Sequence, residues 1–334
     1  MKLQDLGEFN LIERIRHRFV HTPKGTLGIG DDCAVIPLSE NRMQLVTTDL
    51  LIENIHFLCD RIAPEDLGHK SLAVNISDIA AMGGTPTGAF LSIALPGGLE
   101  TSWCDAFFEG IYTLATECNC PLLGGDTTKT KKDIAINFTV LGEMDAAHVK
   151  YRSGAMAGDI IATTGVVGDS GGGLRLILGD DPLTSDAHVS LLQAHHHPIP
   201  HLQEGAWLAQ HTTVHSMIDV SDGIDSDICH IMKASSVGAN IDLAQIPISK
   251  ELRLVGEKSQ WPIEELALTG GEDYVLLCTV DPIAFAQLAN AFEQHFQRPL
   301  YPIGHITNTH QLNYERAGIA HNLQSIGFDH FKTP

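Results

Sequence analysis

A two-domain α/β (α+β) protein is what this chain predicts, on three observations. Its 334 residues, 43% hydrophobic and 19% charged, are enough to bury a full core and exceed the usual size of one domain. Strand-like and helix-like stretches alternate along it. The alternation comes in two successive blocks, with a boundary near residues 143 to 157, and shows no repeat of solenoid period.

In the first block, Phe9, Leu11, Ile12 and Ile15 recur at near-helical spacing after Gly7 and predict an opening amphipathic helix. Leu45 to Asp49, Phe90 to Leu95 and Ile134 to Leu141 are rich in the apolar and β-branched residues that suit a pleated sheet. Pro64 to Met82 starts with Pro and acids and ends before Gly83-Gly84, the asymmetry of a helix. Trp103 to Cys118 fits a second. The next block opens after Gly154 with a strand at Asp159 to Thr164, then a Gly-rich turn and helix at Gly168 to Leu178. A strand at Met217 to Val220, a helix after Asp222, a strand at Tyr274 to Val280 and a helix at Pro282 to His295 follow.

Charge and composition exclude several functions. Lys and Arg number 21 against 41 Asp and Glu, a formal charge of −20, which disfavours a grip on nucleic acid or an anionic membrane. A phosphate ligand would need bound cations. Apolar runs such as Ile160 to Ala162 fall short of a membrane span, and Met1 to Leu11 lacks a signal-peptide core, so the expected location is the cytoplasm. The seven cysteines form no CxxC pair and are read as reduced, mostly buried thiols. His195-His196-His197 cannot face one metal from a regular helix and is read as a loop or surface tract.

The chemistry lies in Asp residues beside Gly or at element ends: Gly30-Asp31-Asp32, Thr47-Thr48-Asp49, Ser77-Asp78, Gly124-Gly125-Asp126-Thr127-Thr128 and Asp219-Val220-Ser221-Asp222-Gly223. Singly, each is a common turn or cap signal. Together they form a set of hard oxygen ligands of the kind Mg²⁺ prefers, and carboxylates converging on one cleft would repel one another without cations between them. There is no GxxxxGK[ST] loop and no protein-kinase catalytic loop. Gly28-Ile29-Gly30 precedes two acids, which argues against a dinucleotide fingerprint. Gly168 to Gly173 suits either an anion-binding loop or tight packing at a helix start, and Gly270-Gly271-Glu272-Asp273-Tyr274 reads as a turn before a strand.

These blocks, with Gly7-Glu8-Phe9, Asn75 to Gly83, Arg152-Ser153-Gly154 and Gly327-Phe328-Asp329-His330-Phe331, resemble the thiamine-monophosphate kinases over nearly the whole chain. That family sits in a superfamily with aminoimidazole ribonucleotide synthetase, selenophosphate synthetase and a hydrogenase-maturation protein. The resemblance implies a homodimer in which N-terminal strands form an intersubunit barrel, with an ATP/Mg-binding domain at 1-148 and a C-terminal α/β domain at 149-334. It implies that Asp32, Thr47, Thr48, Asp49, Asp78, Asp126, Asp219 and Asp222 hold several Mg²⁺ ions, with Asp49, Asp78 and Asp126 catalytic. Gly125, Asp126, Arg152 and Ser221 would contact ATP, and His56, Glu272 and Phe328 the thiamine monophosphate. One departure is His197-Pro198-Ile199-Pro200-His201, where the family often carries Arg.

The implied reaction is in-line transfer of the γ-phosphoryl group of ATP to a phosphate oxygen that is already largely ionised at neutral pH, so repulsion between anions, rather than proton removal, is the obstacle. The alternatives are another ATP-dependent enzyme of the superfamily and a non-catalytic Mg-nucleotide-binding module. Neither thiol-dependent member fits, since the first Cys is Cys33 and the last Cys278. A mere module has no use for an acid and an aromatic at a second ligand site.

Overall fold

The computed structural model describes residues 2–179, 185–316, 318–321 and 331. The first sheet contains β1 (Ala34–Pro37), β2 (Arg42–Ile52), β3 (Thr85–Pro96), β4 (Leu122–Thr130) and β5 (Ala135–Asp145), in the order β1-β2-β5-β3-β4. Its neighbours are antiparallel except β3 and β4. That parallel pair needs a crossover, which the helix Thr101–Glu117 supplies.

The second sheet contains β6 (Ile160–Thr163), β7 (Val214–Asp219), β8 (Gly238–Asp242), β9 (Leu276–Val280), β10 (Tyr301–Thr307), β11 (Leu312–Arg316) and β12 (Ile319–His321), ordered β12-β11-β8-β10-β6-β9-β7. Sequence periodicity anticipated β2, β3, β5, β6, β7 and β9. The remaining strands are short or polar, and their pairing comes from the sheet rather than from their own pattern.

Alternation decides which face of the first sheet is covered. In β5, Ile136, Phe138, Val140 and Met144 are buried, while Asn137, Thr139 and Leu141 on the other face are only half-buried. The same outer face carries exposed Leu50 and Phe90, and β4 beside it is exposed almost throughout.

The helix Pro64–Ala81 is the spine of the molecule, because apolar and small residues on every side of it meet a different partner. It packs on the sheet, on the helix Thr101–Glu117, and on β7 and the helix Leu202–Ala209 of the second half. At Gly68 an added Cβ would lie 2.0 Å from the Phe107 carbonyl oxygen, and at Gly110 one would lie 1.9 Å from that of Glu65, so the two long helices touch backbone to backbone. Ala80 and Ala81 share an apolar cluster with Ala162, Leu208, Val214 and Met217, which joins the halves. Among the described residues no helix is long and apolar enough to cross a membrane.

Two expectations need correction. His195 and His196 end the helix Asp186–His196 rather than lying in a surface loop, and His195 is buried because that helix packs against the Gly-rich helix Asp169–Leu178. The seven thiols are free, yet only Cys33, Cys120 and Cys278 are buried and the other four are half-buried.

Candidate active site

Successive side chains of β2 point to opposite faces, so Thr47 and Asp49 separate from Thr48. Thr47 donates its hydroxyl to the Asp78 carboxylate, and the Asp49 amide donates to Asn75 Oδ1 at 3.0 Å; both partners lie on the helix Pro64–Ala81. Thr48 faces the open side, where its hydroxyl donates to the Phe138 carbonyl at 2.9 Å and accepts from Asn137 Nδ2 at 2.9 Å.

One residue before Asp78, Ser77 donates to Asp219 Oδ2 at 2.6 Å across the junction between the halves, at the end of β7. Asp32 enters from the loop before β1. The carboxylate oxygens of Asp32, Asp78 and Asp219 come within 4.8 Å of one another. Arg152, from the segment linking the sheets, holds Asp32 Oδ1 through Nε at 3.1 Å, and its backbone amide is 3.2 Å from Asp31 Oδ1. Asp32 Oδ2 is buried with no hydrogen-bond partner.

Burial and mutual repulsion show in the acidities. Burial, then the neighbouring Asp32 charge, pushes Asp219 and Asp31 up to about 7 and Asp49 up to about 6. Burial, then Asp49, pushes Asp78 well above the usual carboxylate range. A bound divalent cation would replace those protons, and the unpartnered Asp32 oxygen within this carboxylate set fits one. Asp222, Asp227 and His230 form a second group of possible ligands beside it.

All the expected residues except Gly125, Asp126 and Phe328 line one cleft of about 1160 Å³. Phe328 lies outside the described residues. Asp126 is on edge strand β4, in register with Ser92 of β3, which pairs with Asn137 of β5, which pairs with Leu50 of β2. Three strand spacings, about 14 Å, therefore separate it from β2, and it sits on the open sheet face. Gly125 beside it takes φ +154, and an added Cβ would lie 1.7 Å from the Leu91 oxygen.

The segment 270–274 is more than a turn. Glu272 and Tyr274 adopt φ +55 and +50, conformations that cost energy for residues with side chains. Glu272 reaches the cleft, where its Oε1 meets Lys70 Nζ at 3.0 Å. Asp273 accepts from the Gly168 and Ser170 amides at 2.6 and 3.2 Å, and Gly171 meets Gly270 Cα at 3.0 Å from an added Cβ. The start of the Gly-rich helix is thus already capped by the Asp273 carboxyl, and its glycines serve close packing.

Sequence reasoning missed Lys70 and His195. Lys70 carried one signal: it is the single Lys or Arg in the helix Pro64–Ala81. His195 carried none beyond its neighbours.

Two family models match the chain: AIR synthase related protein, N-terminal domain, over residues 30–144, and the corresponding C-terminal domain over 157–315. The thiamine-monophosphate kinase of Haemophilus influenzae is 35% identical over 98% of both chains. That of Escherichia coli K12 is 38% identical over 98% of this chain and 99% of its own. A solved structure of "AaThiL complexed with AMPPCP and TMP" superposes with a TM-score of 0.86 at 31% identity, covering 99% of each chain. With a carboxylate-lined cleft between two α/β halves and kinship along its whole length, the chain belongs to the thiamine-monophosphate kinase family of the AIR synthase related proteins.

Proposed function

We propose that this protein is an ATP-dependent thiamine-monophosphate kinase, an ATP:thiamine-phosphate phosphotransferase that makes thiamine diphosphate and ADP. The observation that carries the reading is the convergence of buried Asp32 and Asp219 with half-buried Asp78, in a cleft shared with Glu272, in a chain whose relative holds AMPPCP and TMP together. Cys33 argues against thiol chemistry: it is buried, and burial followed by Asp78 pushes its thiol well above the ordinary range.

In this reading the chain's task is positioning, since the attacking phosphate oxygen needs no strong base. Asp32, Asp78 and Asp219, with Thr47, Asp49 and Asp222 alongside and Thr48 reaching in from the open face that also carries Asp126, would hold magnesium, which supplies neutralisation of charge on the reacting phosphates. Arg152 orients Asp32, and Arg152, Ser221 and Gly125 contact the nucleotide. Ser77 fixes Asp219, so the two halves share one metal-binding edge. His56, Glu272 and Phe328 bind the acceptor.

Asp126 finds its place in this reading through a homodimer. The open face of the first sheet carries Leu50, Phe90, Thr48 and Asp126, and a second copy closing over it would bring its own Asp126 toward the cleft of the first. Residues 1-148 then act as the ATP/Mg-binding and dimerisation domain and 149-334 as the C-terminal domain of a cytoplasmic enzyme.

The test is ³¹P NMR of the protein with ATP, Mg²⁺ and thiamine monophosphate. Thiamine diphosphate and ADP formed together, only when metal and acceptor are both present, support the kinase. ATP left intact, or hydrolysed equally without the acceptor, rejects it.

A further inference from the structure

Lys70 is 1% exposed, the least expected state for an ammonium group. Its three N–H donors have three acceptors: Glu272 Oε1 at 3.0 Å, the His195 carbonyl at 3.1 Å and His195 Nε2 at 3.4 Å. Because Nε2 faces a cation, the His195 proton belongs on Nδ1. There it meets Ser170 Oγ at 3.0 Å and Glu272 Oε2 at 3.4 Å. Burial, then the Lys70 charge, holds His195 down to about 3, so the ring is neutral. Burial would raise the Glu272 carboxyl, but Lys70 and His195 outweigh it and keep it below its usual range.

The backbone under Glu272 is fixed as firmly as its side chain. Glu272 N donates to the Ser221 carbonyl at 2.7 Å and Tyr274 N to that of Val220 at 2.9 Å, which holds both residues at positive φ. A strained backbone, with Oε1 held by Lys70 and the His195 ring against one side of Oε2, sets the direction in which Oε2 offers its remaining lone pair.

We propose that Lys70 is a positioning residue for the acceptor: it clamps Glu272 directly and through His195, so that Glu272 Oε2 accepts a hydrogen bond from a polar N–H of the acceptor's ring system. This rests on the kinase reading. With Lys70 and Glu272 forming a neutral pair, the acceptor is selected by directed hydrogen bonding rather than by an unpaired negative charge.

The experiment compares wild type, Lys70→Met, Glu272→Gln and the double variant. Lys70→Met raises the KM for thiamine monophosphate about tenfold or more while the KM for ATP stays within about twofold, and it adds no further change in the Glu272→Gln background. Equal changes in both KM values, or additive effects of the two substitutions, overturn the proposal. Independently of any variant, ¹⁵N-histidine NMR of the wild type shows His195 as the neutral Nδ1–H tautomer, shifting with thiamine monophosphate and not with ADP. An Nε2–H tautomer, or no shift with the acceptor, also overturns it. Wild-type turnover is measured first: if wild type neither binds nor phosphorylates the acceptor, the kinase reading falls, whereas an active wild type with an unchanged Lys70→Met KM removes only Lys70.

Discussion

The Arg152 guanidinium grips one oxygen of Asp32, with Nε at 3.1 Å from Oδ1, and leaves Oδ2 buried and unpartnered beside Asp78 and Asp219. One end of the carboxylate is fixed and the other is aimed at the place where three acids converge. A carboxylate edge built this way is oriented before any ligand arrives.

Arg152→Met tests that orientation. Hydrogen bonds to charged groups contribute about 1.5–3 kcal/mol, so the KM for ATP rises about tenfold or more while that for thiamine monophosphate changes little. Steady-state kinetics with each substrate varied separately checks it, and an unchanged ATP dependence removes Arg152 from the nucleotide site.

Metal dependence of stability follows from the raised carboxyl groups. Asp31 and Asp219, at about 7, and Asp49, at about 6, hold protons in the folded state that the unfolded chain has released above about pH 4. Without metal their contribution to stability is full below pH 4 and is lost as pH rises through 6 to 7. In EDTA, Tm therefore falls over that window. Saturating Mg²⁺ at pH 7.5 raises Tm by about 3–5 °C, in line with a ligand at about a hundred times its Kd. Scanning calorimetry from pH 5 to 8 checks both, and a flat metal-free profile contradicts the assignment.

Subunit mixing tests the place of Asp126. Asp49→Asn and Asp126→Asn each lower kcat at least about a hundredfold, the scale of losing one preorganised charge contact. If Asp126 serves its partner's cleft, a scrambled mixture has half heterodimers, each with one intact site, and recovers about a quarter of wild-type activity. No recovery, despite heterodimers seen by mass spectrometry, means that Asp126 does not act across the interface.

Helix contact tests the spine. Gly110→Ala places a methyl 1.9 Å from the Glu65 carbonyl oxygen, which the helix pair cannot absorb without moving apart. A loss of about 2–4 kcal/mol in urea unfolding is expected, as for other overpacked cores. A change below about 0.5 kcal/mol would show that the helices are more loosely packed.

Much of this was legible in the sequence because it is local. The helix Pro64–Ala81 announces itself by its Pro and acids at one end and glycines at the other, and β2, β3 and β5 by their apolar and β-branched runs. The convergence of acids was legible too, since Asp beside Gly or at element ends singles out Asp32, Asp78 and Asp219, whose carboxylate oxygens the fold brings within 4.8 Å of one another. β4 was not: Gly124-Gly125-Asp126 has the composition of a turn, and only pairing to β3 makes it a strand. His195 was misread because its burial comes from how its helix packs against the preceding helix Asp169–Leu178, which no local pattern shows.

The sequence by itself determined the two α/β blocks and the family and offered a set of hard-ligand candidates, since periodicity, composition and motif order are properties of short segments. Tertiary structure alone decided that Ser77 reaches Asp219 across a separation of 142 residues, that Thr48 turns from Thr47 and Asp49, and that Lys70 sits beneath Glu272. The reason is physical. A segment fixes which side chains must leave water, but which groups they then meet depends on how whole sheets and helices pack, and those distances are set only when the fold closes.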